Sequence, residues 1–147
     1  MLIKMINIPP CLLALALVSG CATAVIITGD SINAQMASIK NEINLNRESI
    51  NKLKNTRVGA TGFFYVIDTD GSVVFHPQSA IIGSSFKNHW FINKILEEKT
   101  GCLTYQLGNR THVIFFDQLN DSEMLCLSIV SDDLQSLPAH CRQKDVK

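Results

Sequence analysis

The sequence predicts an α+β domain: a long N-terminal helix, then a five-stranded antiparallel sheet with a second helix across one face. Three observations carry this. Residues 30–54 contain neither Pro nor Gly and repeat apolar residues at steps of four and three. Residues 62–77 read as two short strands about a tight turn, and three further strand-like stretches lie between Cys102 and Val130, separated by turn residues. A chain of 147 residues has room for one domain with a core of ordinary size. Thirteen Lys and Arg balance 13 Asp and Glu, so net charge is zero. That removes any electrostatic case for nucleic acid or an anionic membrane surface as partner.

The N-terminus opens with Lys4 ahead of an apolar run, Cys11 to Val18, and ends in small residues. This is the pattern of a secretory signal peptide. Val18-Ser19-Gly20-Cys21 resembles a bacterial lipobox. The resemblance implies cleavage before Cys21 and lipidation of that cysteine, with residues 1–20 removed and 21–29 as a tether. Cleavage after Ala24, or an uncleaved anchor over residues 11–28, about the shortest length that spans a bilayer, are the competing readings. All three place residues 30–147 outside the cytoplasm. Ala22 is not the Asp that commonly retains lipoproteins at the inner membrane, which favours the outer membrane.

Over residues 30–57 the apolar positions Ile32, Met36, Ile39, Ile43, Ile50 and Leu53, with Asn46 in the remaining place, make a heptad-like stripe. Two readings fit it. The stripe packs on the chain's own sheet, or it pairs two protomers in parallel through residues 32–53, with a buried Asn46 setting register.

In the hairpin, Phe63 to Ile67 are aromatic and β-branched, which suits a buried strand. Asp68-Thr69-Asp70-Gly71 supplies the turn: Asp side chains bond nearby amides and Gly71 takes a positive φ. Val73 to Phe75 resume the strand and Pro77 ends it. Gly62, Phe63, Tyr65, Val66, Ile67, Asp68, Gly71, His76, Pro77 and the later Gly83 together resemble the core of Cache domains, over roughly residues 58–131. The resemblance implies a PAS-like fold that binds small molecules outside the cytoplasm, here over residues 58–136.

After a loop anchored by Ile81 and Ile82, His89 to Glu98 reads as a short helix stopped by Gly101. Strands Cys102–Leu107, Arg110–Asp117 and Met124–Val130 follow, joined by turns at Gly108-Asn109 and at residues 119–121. Residues 137–147 read as a polar tail. Of the cysteines outside the signal region, Cys102 and Cys126 fall on strands with another between them, too far apart to bridge. Buried thiols at Cys102, Cys126 and Cys141 are the preferred reading, with one pairing left open. The Cys and His residues lack metal-ligand spacing, so no metal is expected, and nothing calls for a cofactor.

A ligand site in such a fold lies between the sheet and the short helix with its preceding loop. Position nominates Tyr65, His76, Lys87, His89, Trp90, Tyr105 and Arg110. Tyr65 and Trp90 offer flat surfaces with a donor, while Arg110 or Lys87 would hold a carboxylate. The sequence lacks the Arg-x-Trp-Tyr pattern of amine-sensing double Cache domains, which leaves a small carboxylate as the preferred solute. No catalytic motif is present: Asp68 and Asp70 read as turn formers. With no transmitter or second span after residue 131, a sensing role implies handing the bound state to a partner protein. The alternative is a scaffold whose phenylalanines (Phe63, Phe64, Phe75, Phe91, Phe115, Phe116) turn inward and fill the pocket.

Overall fold

The computed structural model of the protein describes residues 26–143. The signal-peptide and lipidation readings, Cys21 included, fall outside those residues. The chain folds as helix α1 (Gly29–Leu45), a 3-10 helix (Arg47–Lys54), strands β1 (Arg57–Val58), β2 (Gly62–Asp68) and β3 (Val73–Phe75), helix α2 (Trp90–Glu98), and strands β4 (Thr100–Leu107), β5 (Arg110–Asn120), β6 (Glu123–Val130) and β7 (Arg142–Gln143). The sheet runs β1-β2-β6-β5-β4-β7, with β3 also paired to β2. The five expected strands are therefore present in the order β3-β2-β6-β5-β4, all antiparallel.

Alternation along the strands sends consecutive residues to opposite faces, and antiparallel register lines them up in rows. Phe64, Leu127, Phe115 and Cys102 are cross-strand partners in one row. They pack with Val66, Leu125 and the buried residues of the N-terminal helices into one core. One residue along, Tyr65, Cys126 and Phe116 form a row on the other face and pack with Ile92 and Ile95 of α2.

The long helix departs from expectation at Asn46, which is exposed and extended (φ −145°, ψ 107°). It ends α1 and caps the 3-10 helix, its side-chain oxygen accepting from the Glu48 amide at 3.0 Å. An N-cap is a favoured role for Asn, and it replaces the buried register-setting role read from the seam. Ile32, Met36, Ile43, Ile50 and Leu53 are all buried against this chain's own sheet, with Ile39 packed at the edge. The stripe is thus covered within the protomer. Lys40 pairs with Asp117 at 3.0 Å, and Arg47 holds Glu123 through two bonds of 2.6 and 2.7 Å, both locking the helices across the sheet. Lys52 and Glu42 also pair.

Two further departures concern the C-terminal half. Helix α2 stops at Lys99, which adopts a left-handed φ of 62°, two residues before the expected Gly101. The buried-thiol reading fails for two of three cysteines: Cys102 and Cys141 form a disulfide, while Cys126 is a buried free thiol. Residues 141–143, expected in a polar tail, are tied down by that bond, and β7 adds in parallel to the edge strand β4. The edge donors and acceptors of β4 are thereby partly covered.

Candidate functional site: an aromatic chamber under helix α2

The chamber is built from the hairpin outward. Asp68 Oδ1 accepts from the amides of Asp70 (2.9 Å) and Ser72 (2.8 Å), closing the turn that the sequence marks. Gly71 sits at φ +79°, where a Cβ would lie 3.1 Å from Ile92 Cγ2, so the turn packs directly under α2. The following loop lies back along β3: the Gly83 amide donates to Val73 oxygen (2.8 Å) and the Phe86 amide to Gly71 oxygen (2.8 Å). These bonds bring Phe86 over the sheet.

An inner chamber of about 110 Å³ is lined by Phe63, Tyr65, His76, Phe86, Phe91 and Tyr105, with Ile114 and Ser128 as its floor. It opens past Phe63, His76, Phe86, Phe91 and Tyr105 into an outer chamber of about 510 Å³. The outer walls add Ile81, His89, Trp90 and Leu107, with Gln78 and Gln106 as polar members. The outer volume falls within the range of small-molecule sites. The rings are ordered: Phe91 stacks on Tyr105 at 4.9 Å and on His89 at 5.2 Å, while Phe63 meets His76 edge-on at 5.1 Å. The phenylalanines divide: Phe64, Phe75 and Phe115 belong to the opposite core and Phe116 to the layer beneath α2, leaving Phe63 and Phe91 to line the cavity without filling it.

The polar groups of the inner chamber are kept neutral. Burial raises the Tyr65 phenol well above its ordinary value, and its hydroxyl lies beside the Cys126 thiol, itself pushed up to about 12 by burial. Burial also raises Tyr105, against the lowering effect of its interaction with Ser128. His76 is lowered by burial, and its Nδ1 accepts from the Gln78 amide at 3.0 Å, which places the neutral ring's proton on Nε2.

Of the seven residues nominated from sequence, Tyr65, His76, His89, Trp90 and Tyr105 come together around the two chambers. Lys87 and Arg110 do not line either one: both are exposed, Arg110 at the foot of the β4–β5 turn. Sequence reasoning missed Phe86, Gln78, Gln106 and Ser128. Ser128 had a signal, since it shares a cross-strand row with Phe63 and Ile114. A second cluster, Cys102, His140 and Cys141, carries metal-type donors, but the disulfide engages both sulfurs.

An antiparallel sheet with a short helix and a cavity on one face and the N-terminal helices on the other defines a PAS-like α+β fold. The chain belongs to the Cache domain family: the family described as dCache_2, Cache domain, matches residues 25–111. Cache domains are extracellular or periplasmic ligand-binding domains of signalling proteins rather than catalytic ones. Among solved structures, the chain is similar to the extracellular domain of a putative histidine kinase (mmHK1S-Z2; TM-score 0.52, 16% identity), covering 58% of this chain and 37% of that one. It is also similar to a Cache chemosensory domain solved to explain carboxylic acid recognition (TM-score 0.51, 8% identity), covering 68% of this chain and 86% of that one. The chain thus spans little more than a third of the first of these. No curated protein matches it. Among the described residues, no helix is long and apolar enough to cross a membrane.

Proposed function

We propose that this protein is a sensor-type Cache lipoprotein of the bacterial cell envelope, binding a small organic solute in the chamber under α2. Its bound state is read by a partner protein. The observation that carries the solute-binding reading is the chamber itself: ordered rings with neutral polar groups on a rigid sheet, open to solvent beside α2. Tyr65, His76, His89, Trp90 and Tyr105 are the proposed contacts. Lys87 and Arg110, the cations expected to hold a carboxylate, line neither chamber, so the preference for a carboxylate loses its physical basis in this chain. The lipid anchor rests on the Val18-Ser19-Gly20-Cys21 pattern. A signalling output finds support in the fold shared with the extracellular domain of a putative histidine kinase.

A thermal-shift screen of the full chain against small carboxylates, amino acids, amines, purines and sugars tests the first part. A ligand at 100 times its dissociation constant adds about 2.7 kcal/mol of stability. A reproducible hit lost on Trp90→Ala or Tyr65→Phe establishes the site. No shift across the panel favours the scaffold reading. The anchor is tested separately: Cys21→Ser should abolish incorporation of labelled palmitate and release the protein from the membrane fraction.

A further inference from the structure

The chamber's chemistry narrows its ligand beyond "small solute". Among the described residues, neither the inner nor the outer chamber is lined by Asp, Glu, Lys or Arg. A carboxylate buried there would leave water without a cation to meet it, and an organic cation would find rings, which attract it by about 0.5–2 kcal/mol, but no counter-anion to offset the rest of its desolvation. An uncharged solute faces no such cost. Aromatic surface is what the walls offer: the column of His89, Phe91 and Tyr105 on one side, Phe63 edge-on to His76 on the other. Flat π-systems stack on such walls with little regard for substituents.

The polar atoms then specify the ligand's edge. The Tyr105 hydroxyl interacts with Ser128, and a phenol both donates and accepts, so it offers the chamber a neutral polar group of either sense. The Tyr65 hydroxyl, beside the Cys126 thiol, is likewise a neutral group able to donate or accept. His76 adds an Nε2–H donor, because its Nδ1 is engaged by the Gln78 amide. Donors and acceptors on neutral groups, among rings, match a flat molecule with a carbonyl or ring nitrogen next to an N–H.

We propose that the chamber takes an uncharged planar heteroaromatic solute bearing an adjacent acceptor and donor, such as a nucleobase or a nicotinamide-type amide, in preference to a carboxylate or an organic cation. This rests on the solute-binding reading above and fixes its ligand class. Calorimetric titration of the full chain with hypoxanthine, nicotinamide, benzoate and choline tests it. Nicotinamide and benzoate have nearly the same outline and differ in charge. The expected result is binding of hypoxanthine or nicotinamide at least tenfold tighter than of benzoate or choline. Tyr105→Phe, which keeps the ring and removes the hydroxyl, should weaken that binding about tenfold and lower the melting temperature modestly, because buried Ser128 loses its partner, while the variant stays folded. Benzoate or choline binding as tightly as the neutral rings overturns the ligand class while leaving a solute site in place. If none of the four binds and the broader screen is also silent, the solute-binding reading fails and this proposal fails with it.

Discussion

The two faces of the sheet differ although the same strands make both. On the α1 face, Phe64, Leu127 and Phe115 are essentially inaccessible, and the helix stripe closes over them. On the α2 face, Phe63, Phe86, Phe91 and Tyr105 stay partly exposed around a cavity. The difference follows from the covering element. The two N-terminal helices together run from Gly29 to Lys54 and are fixed to the sheet by Lys40–Asp117 and Arg47–Glu123. Helix α2 has nine residues and buries only Ile92 and Ile95 fully. A short cover over large rings leaves space. One face therefore holds the fold and the other is available for recognition.

The largest effect expected from breaking that division is Phe115→Ala on the sealed face. Truncating a fully buried Phe costs about 3–5 kcal/mol, from lost transfer free energy plus the cavity left behind. Phe91→Ala, on the open face, should cost no more than about half as much, because its ring already borders empty space. Ligand affinity should respond in the opposite order. Urea melts and titrations of both variants check this; equal stability losses would mean that the faces are not mechanically distinct. Next in size is Cys141→Ser. The Cys102–Cys141 bond closes a loop of sequence separation 39 on the sealed side, and its loss should cost about 2–4 kcal/mol. Binding in the chamber should be unaffected, since the bond lies across the sheet from it. A reductant should lower the wild-type melting temperature and leave the variant's unchanged.

The sealed face was legible as a pattern but not as an assignment. The aromatic and β-branched run Phe63 to Ile67 read as a buried strand without saying which residues face which side, and the turn chemistry of Asp68 and Gly71 appears in the structure as it reads in the chain. The helix stripe was visible too. Yet a four-three repeat looks the same whether the partner is a sheet or a second helix, and only tertiary contact decides. The break at Asn46 carried a signal, an Asn two residues before Glu48, that the even spacing of the stripe obscured. The disulfide was opaque: strand order excludes Cys102–Cys126, because β5 lies between them, but nothing in the spacing brings Cys141 back to the sheet edge. On the open face, the residues on regular elements, Tyr65, Trp90 and Tyr105, were found by position. Phe86 sits in a Ser- and Lys-containing loop with no period, and it is placed by backbone bonds of that loop to the Gly71 turn and to Val73 that no residue pattern announces. Lys87 and Arg110 were nominated for their charge and sit outside the cavity.

A smaller effect, of opposite sign, is expected at the end of α2. Lys99 holds φ 62°, a region that strains a residue with a Cβ, and its amide donates to Ile95 oxygen at 2.9 Å. Lys99→Gly should stabilise the protein by about 0.5–1 kcal/mol through relief of that strain. Because the gain firms the cover without touching a ring, it should leave ligand affinity unchanged. A rise in melting temperature accompanied by weaker binding would show that α2 must flex for the ligand to enter.

The smallest effect is the most specific to the open face. Burial lowers the His76 pKa below the ordinary 6.5, so at neutral pH the ring is uncharged in both folded and unfolded chains. As pH falls below about 6.5, the unfolded chain takes up the proton first. Stability contributed by His76 is therefore fully present above that pH and is lost as pH drops through the folded-state value. His112, lowered by burial and by Arg110, acts in the same direction from the neighbouring strand edge. His76→Gln removes one of the two, so the variant's stability should fall less steeply between pH 6.5 and 5 than the wild type's. Melting curves across that range measure the difference. The same protonation puts a positive charge into a chamber lined by neutral groups, so affinity for an uncharged ring should weaken over the same interval in the wild type and stay flat in His76→Gln. Affinity that instead rises on acidification, and only when His76 is present, would mean that the chamber recruits an anion through the protonated imidazole.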